Sequence, residues 1–106
     1  MTLPTLTHDQ RTAALAKAME VRKARAEIKA QLKTGHTSIA DLLNAADLDP
    51  VVGKMRVSTV LEALPKIGKT KAEQIMAELE ISPVRRMKGL GDRQRDALLE
   101  RFGYTD

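Results

Sequence analysis

Apolar positions recur at spacings of three and four along this chain, and each such stretch reads as a helix. The first carries Leu15, Ala18, Met19, Val21, Ala24, Ile28 and Leu32 among many alanines, which favour helix intrinsically. Thr7 and Gln10 make a capping-box pair at its start, and Asp9 complements the helix dipole in the first turn. No Gly or Pro then appears until Gly35, so the helix should run about 27 residues, or about 40 Å. Its apolar face is thin. Such a helix is expected to project beyond the globular part at its N-terminal end. Before it, Pro4 makes Met1 to Leu6 a short extended arm.

Thr34-Gly35-His36-Thr37 reads as a linker, dividing an arm and long helix (1–34) from a compact core (35–106). Ser38 should cap a short helix reaching about Ala46, with Asp41 at its third position and Ile39, Leu42 and Leu43 turned inward. Asp49-Pro50 supplies N-cap and first residue of another short helix ending near Met55. Val57-Ser58 opens the next, with Val60, Leu61 and Leu64 on one side. A helix from Thr70 to Leu79 follows, presenting Ile75, Met76 and Leu79 inward. Ser82-Pro83 is expected to open one or two further turns through Met87, and Asp92 to cap the last helix, with Ala97, Leu98 and Phe102 completing the core.

The stretch from Leu64 to Ala72 gives this pattern its chemistry. Pro65 should end one helix, Gly68 should supply the positive φ of a tight reversal, and Thr70 with Glu73 should cap the next helix. On that reading Gly68→Val would damage folding as well as binding. Backbone N–H groups at a helix N-terminus form an anion site. Lys66, Lys69 and Lys71 around it favour a nucleic-acid phosphate, with Thr70 and the Gly68 backbone completing the contact. A plain αα-corner would use the same Pro and Gly. A P-loop is excluded: Gly68-Lys69-Thr70 matches its tail, but Ala63 stands where its first glycine belongs, and a helix, not a strand, leads in.

A second glycine turn, Gly89-Leu90-Gly91, lies inside a cluster of Arg85, Arg86, Lys88, Arg93 and Arg95. Two glycine turns flanked by cations can grip two strands of a groove. The bland alternative for the second is a solvated basic loop. The first helix carries Arg11, Lys17, Arg22, Lys23, Arg25, Lys29 and Lys33 against Asp9, Glu20 and Glu27. That surface is either a solvated face or a second nucleic-acid surface.

Composition narrows the partner. The 106 residues allow one domain with a modest core, better suited to binding than to an elaborate catalytic cleft. There are 18 Lys and Arg against 14 Asp and Glu, a net charge of +4, which favours an anionic ligand. Cysteine is absent, and His8 and His36 stand 28 positions apart, so neither a metal site nor a histidine-based triad is expected, and no cofactor. The one Phe and one Tyr cannot build stacking platforms for single strands, whereas a duplex held by its phosphates needs none. No run suits a membrane span and residues 1–10 lack the apolar core of a signal peptide, so a cytoplasmic location is expected.

Two motifs carry a resemblance: Leu64-Pro65-Lys66-Ile67-Gly68-Lys69, and Ser82-Pro83-Val84-Arg85-Arg86-Met87-Lys88-Gly89-Leu90-Gly91-Asp92-Arg93-Gln94. With Gln10-Arg11-x-Ala13-Ala14-Leu15, Gly53-Lys54-Met55 and Phe102-Gly103, the chain resembles the actinobacterial integration host factor family over nearly its whole length. The resemblance implies an all-α fold: a long N-terminal helix and a compact bundle of short helices containing a helix-two-turns-helix module. It implies binding and bending of double-stranded DNA with little sequence preference in the nucleoid, and help to phage integrase at recombination sites. Carried onto this chain, the family's DNA-contacting turn falls on Lys66, Gly68 and Lys69. Its arginine cluster falls on Arg85, Arg86 and Lys88, with Gly89 and Gly91 as the adjacent turn.

Two other readings compete. A similar module occurs in a ribosomal protein, so an RNA-binding, ribosome-associated role is the alternative. A DNA glycosylase is disfavoured, because so few aromatics leave little to line a base-flipping pocket. The chain is therefore expected to be no enzyme, and to act as a monomer on DNA.

Overall fold

The computed structural model describes residues 7–104, and the proposed extended arm at 1–6 lies outside them. Six α-helices follow in order: α1 (His8–Thr34), α2 (Ile39–Ala45), α3 (Pro50–Lys54), α4 (Val57–Ala63), α5 (Lys69–Glu78) and α6 (Asp92–Arg101), with a 3-10 turn at Met87–Gly89. Among the described residues there is no strand. One isolated antiparallel bridge pairs Arg56 with Arg86.

Local signals set most helix starts. Thr7 and Gln10 close a reciprocal capping box on α1, with Gln10 N–H to Thr7 Oγ1 at 3.1 Å and Thr7 N–H to Gln10 Oε1 at 2.9 Å. Ser38 and Asp41 do the same for α2. Asp49 Oδ1 accepts from Val51 N–H at 2.9 Å, and Pro50 occupies the first position of α3, where a missing N–H costs nothing. Gly35 ends α1 at φ 82°, which lets His36 N–H reach Gln31 O (2.9 Å) and Gly35 N–H reach Leu32 O (3.3 Å).

The core joins Leu32 of α1 to Leu42 and Leu43 of α2, Val52 of α3, Val57, Val60 and Leu61 of α4, Ile75 and Met76 of α5, Met87, and Leu98 of α6. α1 packs on α3 and α4 through its C-terminal half alone. Residues 7–20 are exposed throughout, and Leu15 and Met19 keep 66% of their surface in solvent. The helix therefore projects, and the molecule measures 53 × 32 × 26 Å. Its radius of gyration of 16.4 Å exceeds the roughly 13 Å of a compact chain this long.

Gly53 permits the close approach of α3 to the 3-10 turn. A Cβ there would collide with the Ala46 carbonyl oxygen and lie 3.2 Å from Lys88 Cβ. Packing holds Lys88, and with it the second glycine turn, against α3.

The structure corrects five local expectations, one being that the second tight turn falls at Met87–Gly89, where Gly89 N–H bonds Arg86 O at 2.9 Å, and leaves Leu90 and Gly91 extended. Ser82-Pro83 starts a turn, not a helix: Arg85 N–H bonds Ser82 O at 3.0 Å, and the chain then extends. The reason is tertiary. Val57 N–H donates to Arg85 O and Met87 N–H to Met55 O, each at 2.9 Å, so the bridge takes the backbone groups a helix would have used. The last helix is capped at Gly91, with Asp92 its first residue, because Gln94 Oε1 folds back onto Gly91 N–H at 3.2 Å. α5 begins at Lys69 with Gly68 as N-cap, which leaves Thr70 inside the first turn and the expected Thr70–Glu73 box unformed. Gly68 itself is extended, at φ −94° and ψ −177°, and the positive φ belongs to Lys66 at 65°.

Candidate nucleic-acid interface

That shift of positive φ follows from Pro65. Ile67 N–H bonds Leu64 O at 3.2 Å, closing a four-residue turn with Pro65 at the second position and Lys66 at the third. This is the arrangement of a type II turn, whose third residue must take positive φ. The turn seats Ile67 against the core, while Lys66 stays exposed in a backbone region that favours glycine. Gly68 is free to be extended, with open space where a Cβ would stand, so Gly68→Val has no clash or positive-φ strain to impose.

Gly68 has no side chain to cap α5. Among the described residues, the N–H groups of Lys69, Thr70 and Lys71 have no protein acceptor. They remain as donors at the positive end of a 10-residue helix, with the exposed side chains of Lys66, Lys69 and Lys71 nearby in sequence. Lys66 and Gly68 also share a groove of about 610 Å³ with Lys29 and Lys33 of α1. Of the basic residues of α1, Lys29 thus joins the hairpin and Arg25 lies farther up against the core. Arg11 and Lys17 stand on the projecting half, and Arg22 and Lys23 are exposed beyond it.

The second turn gathers Arg85, Arg86, Lys88 and Gly89 around a hollow of about 370 Å³ whose lining contains no carboxylate. Arg85 lies under the turn, with Nη1 3.4 Å from Gly89 O. Arg86 Nη1 donates to Lys54 O at 2.8 Å, which fixes its guanidinium across the bridge.

Two arginines leave this cluster. Arg93 lines a different cleft with Glu78 and Glu80. Arg95 pairs with Asp47 at 3.0 Å, and its Nε donates to Leu90 O at 3.1 Å. Its guanidinium therefore holds the glycine turn in place from behind. The hydrogen bond from Arg95 keeps the Asp47 carboxyl below the usual carboxylate range and raises the guanidinium's own pKa. In exchange, the fold brings Lys54 and Arg56 beside Arg86, two cations outside the contacting set expected from the sequence.

Across residues 32–102 the chain matches the S13-like H2TH domain family. Fold and turns thus define a protein of the helix-two-turns-helix class. It is 61% identical to the integration host factor of Mycobacterium tuberculosis over 103 residues, covering 97% of this chain and 98% of that protein. The same identity holds for the integration host factor of Mycolicibacterium smegmatis, covering 99% of this chain and all of that protein. That of Streptomyces coelicolor is 47% identical over 99% of this chain and 98% of its own. The solved structure of sIHF bound to an 8bp palindromic DNA superposes with a TM-score of 0.81 at 43% identity, covering 83% of this chain and 99% of that one. The chain belongs to the integration host factor family of actinobacteria.

Proposed function

We propose that this protein is an architectural binder of double-stranded DNA that grips backbone phosphates with two turns and bends or constrains the duplex with little regard to sequence. The observation that carries the reading is the uncapped start of α5: free backbone donors beside Lys66, Lys69 and Lys71, built into the same core as the Arg85–Gly89 turn. Phosphate oxygens match such donors, and base edges are not needed. DNA in the similar sIHF structure favours duplex DNA over the RNA-bound alternative. In this reading 1–34 are an arm and long basic helix, whose Leu32 packs into the binding core of 35–106, with Lys66, Gly68, Lys69, Thr70, Lys71, Arg85, Arg86, Lys88, Gly89, Gly91 and Arg93 as the contacting set. Arg93, facing Glu78 and Glu80, is its weakest member.

The protein acts as a monomer in the cytoplasmic nucleoid and catalyses no reaction. A recombinase such as phage integrase would use the DNA shape it imposes. Among the described residues no helix is long and apolar enough to cross a membrane. The test is duplex affinity against salt. About six neutralised phosphates give a slope near −5 for log K against log salt, a loss of about a thousandfold between 50 and 200 mM. A flat dependence would refute electrostatic gripping, and equal competition by structured RNA would restore the alternative.

A further inference from the structure

Arg56 and Arg86 face each other across an antiparallel bridge of the non-hydrogen-bonded kind, since the flanking bonds run from Val57 N–H to Arg85 O and from Met87 N–H to Met55 O. Such pairs bring Cα atoms within about 4.5 Å and side chains closer still. Like charges directly opposite one another are destabilising. The two arginines open onto a cleft of about 420 Å³ whose other lining residues are Arg25, Lys54, Met55 and Thr59. Four cations and a hydroxyl line it, and no carboxylate does.

Arg25 supplies the second, independent observation. It reaches this cleft from α1 half-buried, and its Nε is shut off from solvent and has no hydrogen-bond partner among the described residues. An anion in the cleft would therefore meet the open part of the Arg25 guanidinium, not Nε. The described ion pairs, Arg95 with Asp47 and Arg101 with Glu78, lie elsewhere. The fold thus spends stability to hold four positive charges together where an oxyanion would offset part of their repulsion.

We infer that Arg25, Lys54, Arg56 and Arg86 form a third phosphate site, which takes a backbone phosphodiester of the bound duplex and ties α1 to the DNA. The assignment deepens the duplex-binding reading and rests on it. Arg86 lines both this cleft and the hollow of the second glycine turn, so the site extends that turn. Arg56 and Thr59 continue into a groove that includes Lys69 but also Glu62 and Glu73. The cleft therefore joins the second turn through Arg86, while the groove beyond it toward α5 is partly acidic. Because Arg25 comes from α1, a phosphate here would couple the direction of the projecting helix to the duplex.

The test is duplex titration over a salt series with wild type and the double variant Arg25→Gln/Arg56→Gln, together with the arginine Nε–Hε resonances of the wild type. Without DNA the variant should melt at or above the wild-type temperature, since it removes repulsion and an unpaired donor. Its salt slope should be shallower by about 0.9 for the lost phosphate, and its affinity lower by about tenfold. Arg25 Nε–Hε should shift when duplex is added to wild type, a readout that stands even if the variant fails to fold. Unchanged slope and affinity with a stationary Arg25 resonance, beside a steep wild-type slope, would overturn this site and leave duplex binding intact. Inorganic phosphate moving that resonance as far as duplex does would make the cleft a free-anion pocket and overturn the assignment. Wild-type protein without salt-dependent duplex binding would sink both.

Discussion

Lys66 is where folding and binding should pull in opposite directions. It is exposed, so truncating it loses no packing, yet it sits at φ 65°, where a Cβ is unwelcome. The left-handed region costs a non-glycine residue about 1–2 kcal/mol. Lys66→Gly removes that strain, and the looser unfolded chain takes back about 0.4–1 kcal/mol. The net gain is about 0.5–1 kcal/mol, a rise in Tm of about 3–6 °C for a domain near this size. Losing the ammonium should at the same time make the salt slope of duplex binding shallower by about 0.9. Lys66→Ala separates the effects, since it deletes the charge and keeps the strained φ: binding should weaken as in the glycine variant, with no rise in Tm. Thermal melts by circular dichroism and fluorescence anisotropy at four salt concentrations give both quantities. A glycine variant that melts below wild type would refute the strain argument. One that binds with an unchanged slope would remove Lys66 from the phosphate contacts.

Gly68→Asp should fold normally, because Gly68 is an extended N-cap with open space around it, but its carboxylate would occupy the α5 N–H groups and repel phosphate, lowering duplex affinity by about tenfold or more. An unimpaired binder would show that α5 does not face DNA. Gly53→Ala should cost about 2–3 kcal/mol in chemical denaturation through overpacking against the Ala46 carbonyl, and a cost near zero would mean that α3 can retreat freely. Asp47 has a depressed pKa in the folded state, so its contribution is fully present above the ordinary carboxylate value and fades as pH falls through the lower folded one. The Tm gap between wild type and Asp47→Asn should therefore hold constant near neutral pH and close below about pH 4. A gap that widens in acid would contradict the Arg95 contact as its cause.

At three helix starts a signal whose partners lie within a few residues was a sufficient guide, although the equally local Thr70–Glu73 pair was not. Thr7 with Gln10, Ser38 with Asp41, and Asp49 before Pro50 each satisfy their helix start locally, and each helix begins where those residues place it. The failures share a cause in the tertiary fold or in a competing local turn. Ser82-Pro83 resembles a helix start, but the backbone after it is claimed by Met55 and Val57. Gly68 suggests a left-handed turn, but Ile67 N–H closes a turn on Leu64 O with Pro65 at its second position, which sets Lys66 there instead. The cations around the two turns were legible because they are contiguous, but the turns themselves fall at Leu64–Ile67 and Met87–Gly89, ahead of Gly68 and Gly91. Lys54 and Arg56 were not legible in this way, since Arg86, which bonds Lys54 O, is 32 positions away from it. Charge density along the chain also misassigned Arg95, which helix α6 swings onto Asp47.

Central to this account is that two turns fixed to one core change the shape of a duplex as they grip it. Smoothly bending a site of 20–30 base pairs costs on the order of 1–6 kcal/mol, within the reach of several charge-assisted phosphate contacts at low salt. The direct measurement is energy transfer between dyes on the two ends of a short random-sequence duplex, at low salt, as protein is added to saturation. The end-to-end distance should be shorter at saturation and recover when salt releases the protein. A duplex that is fully bound, by anisotropy on the same sample, with an end-to-end distance equal to that of free DNA would contradict it.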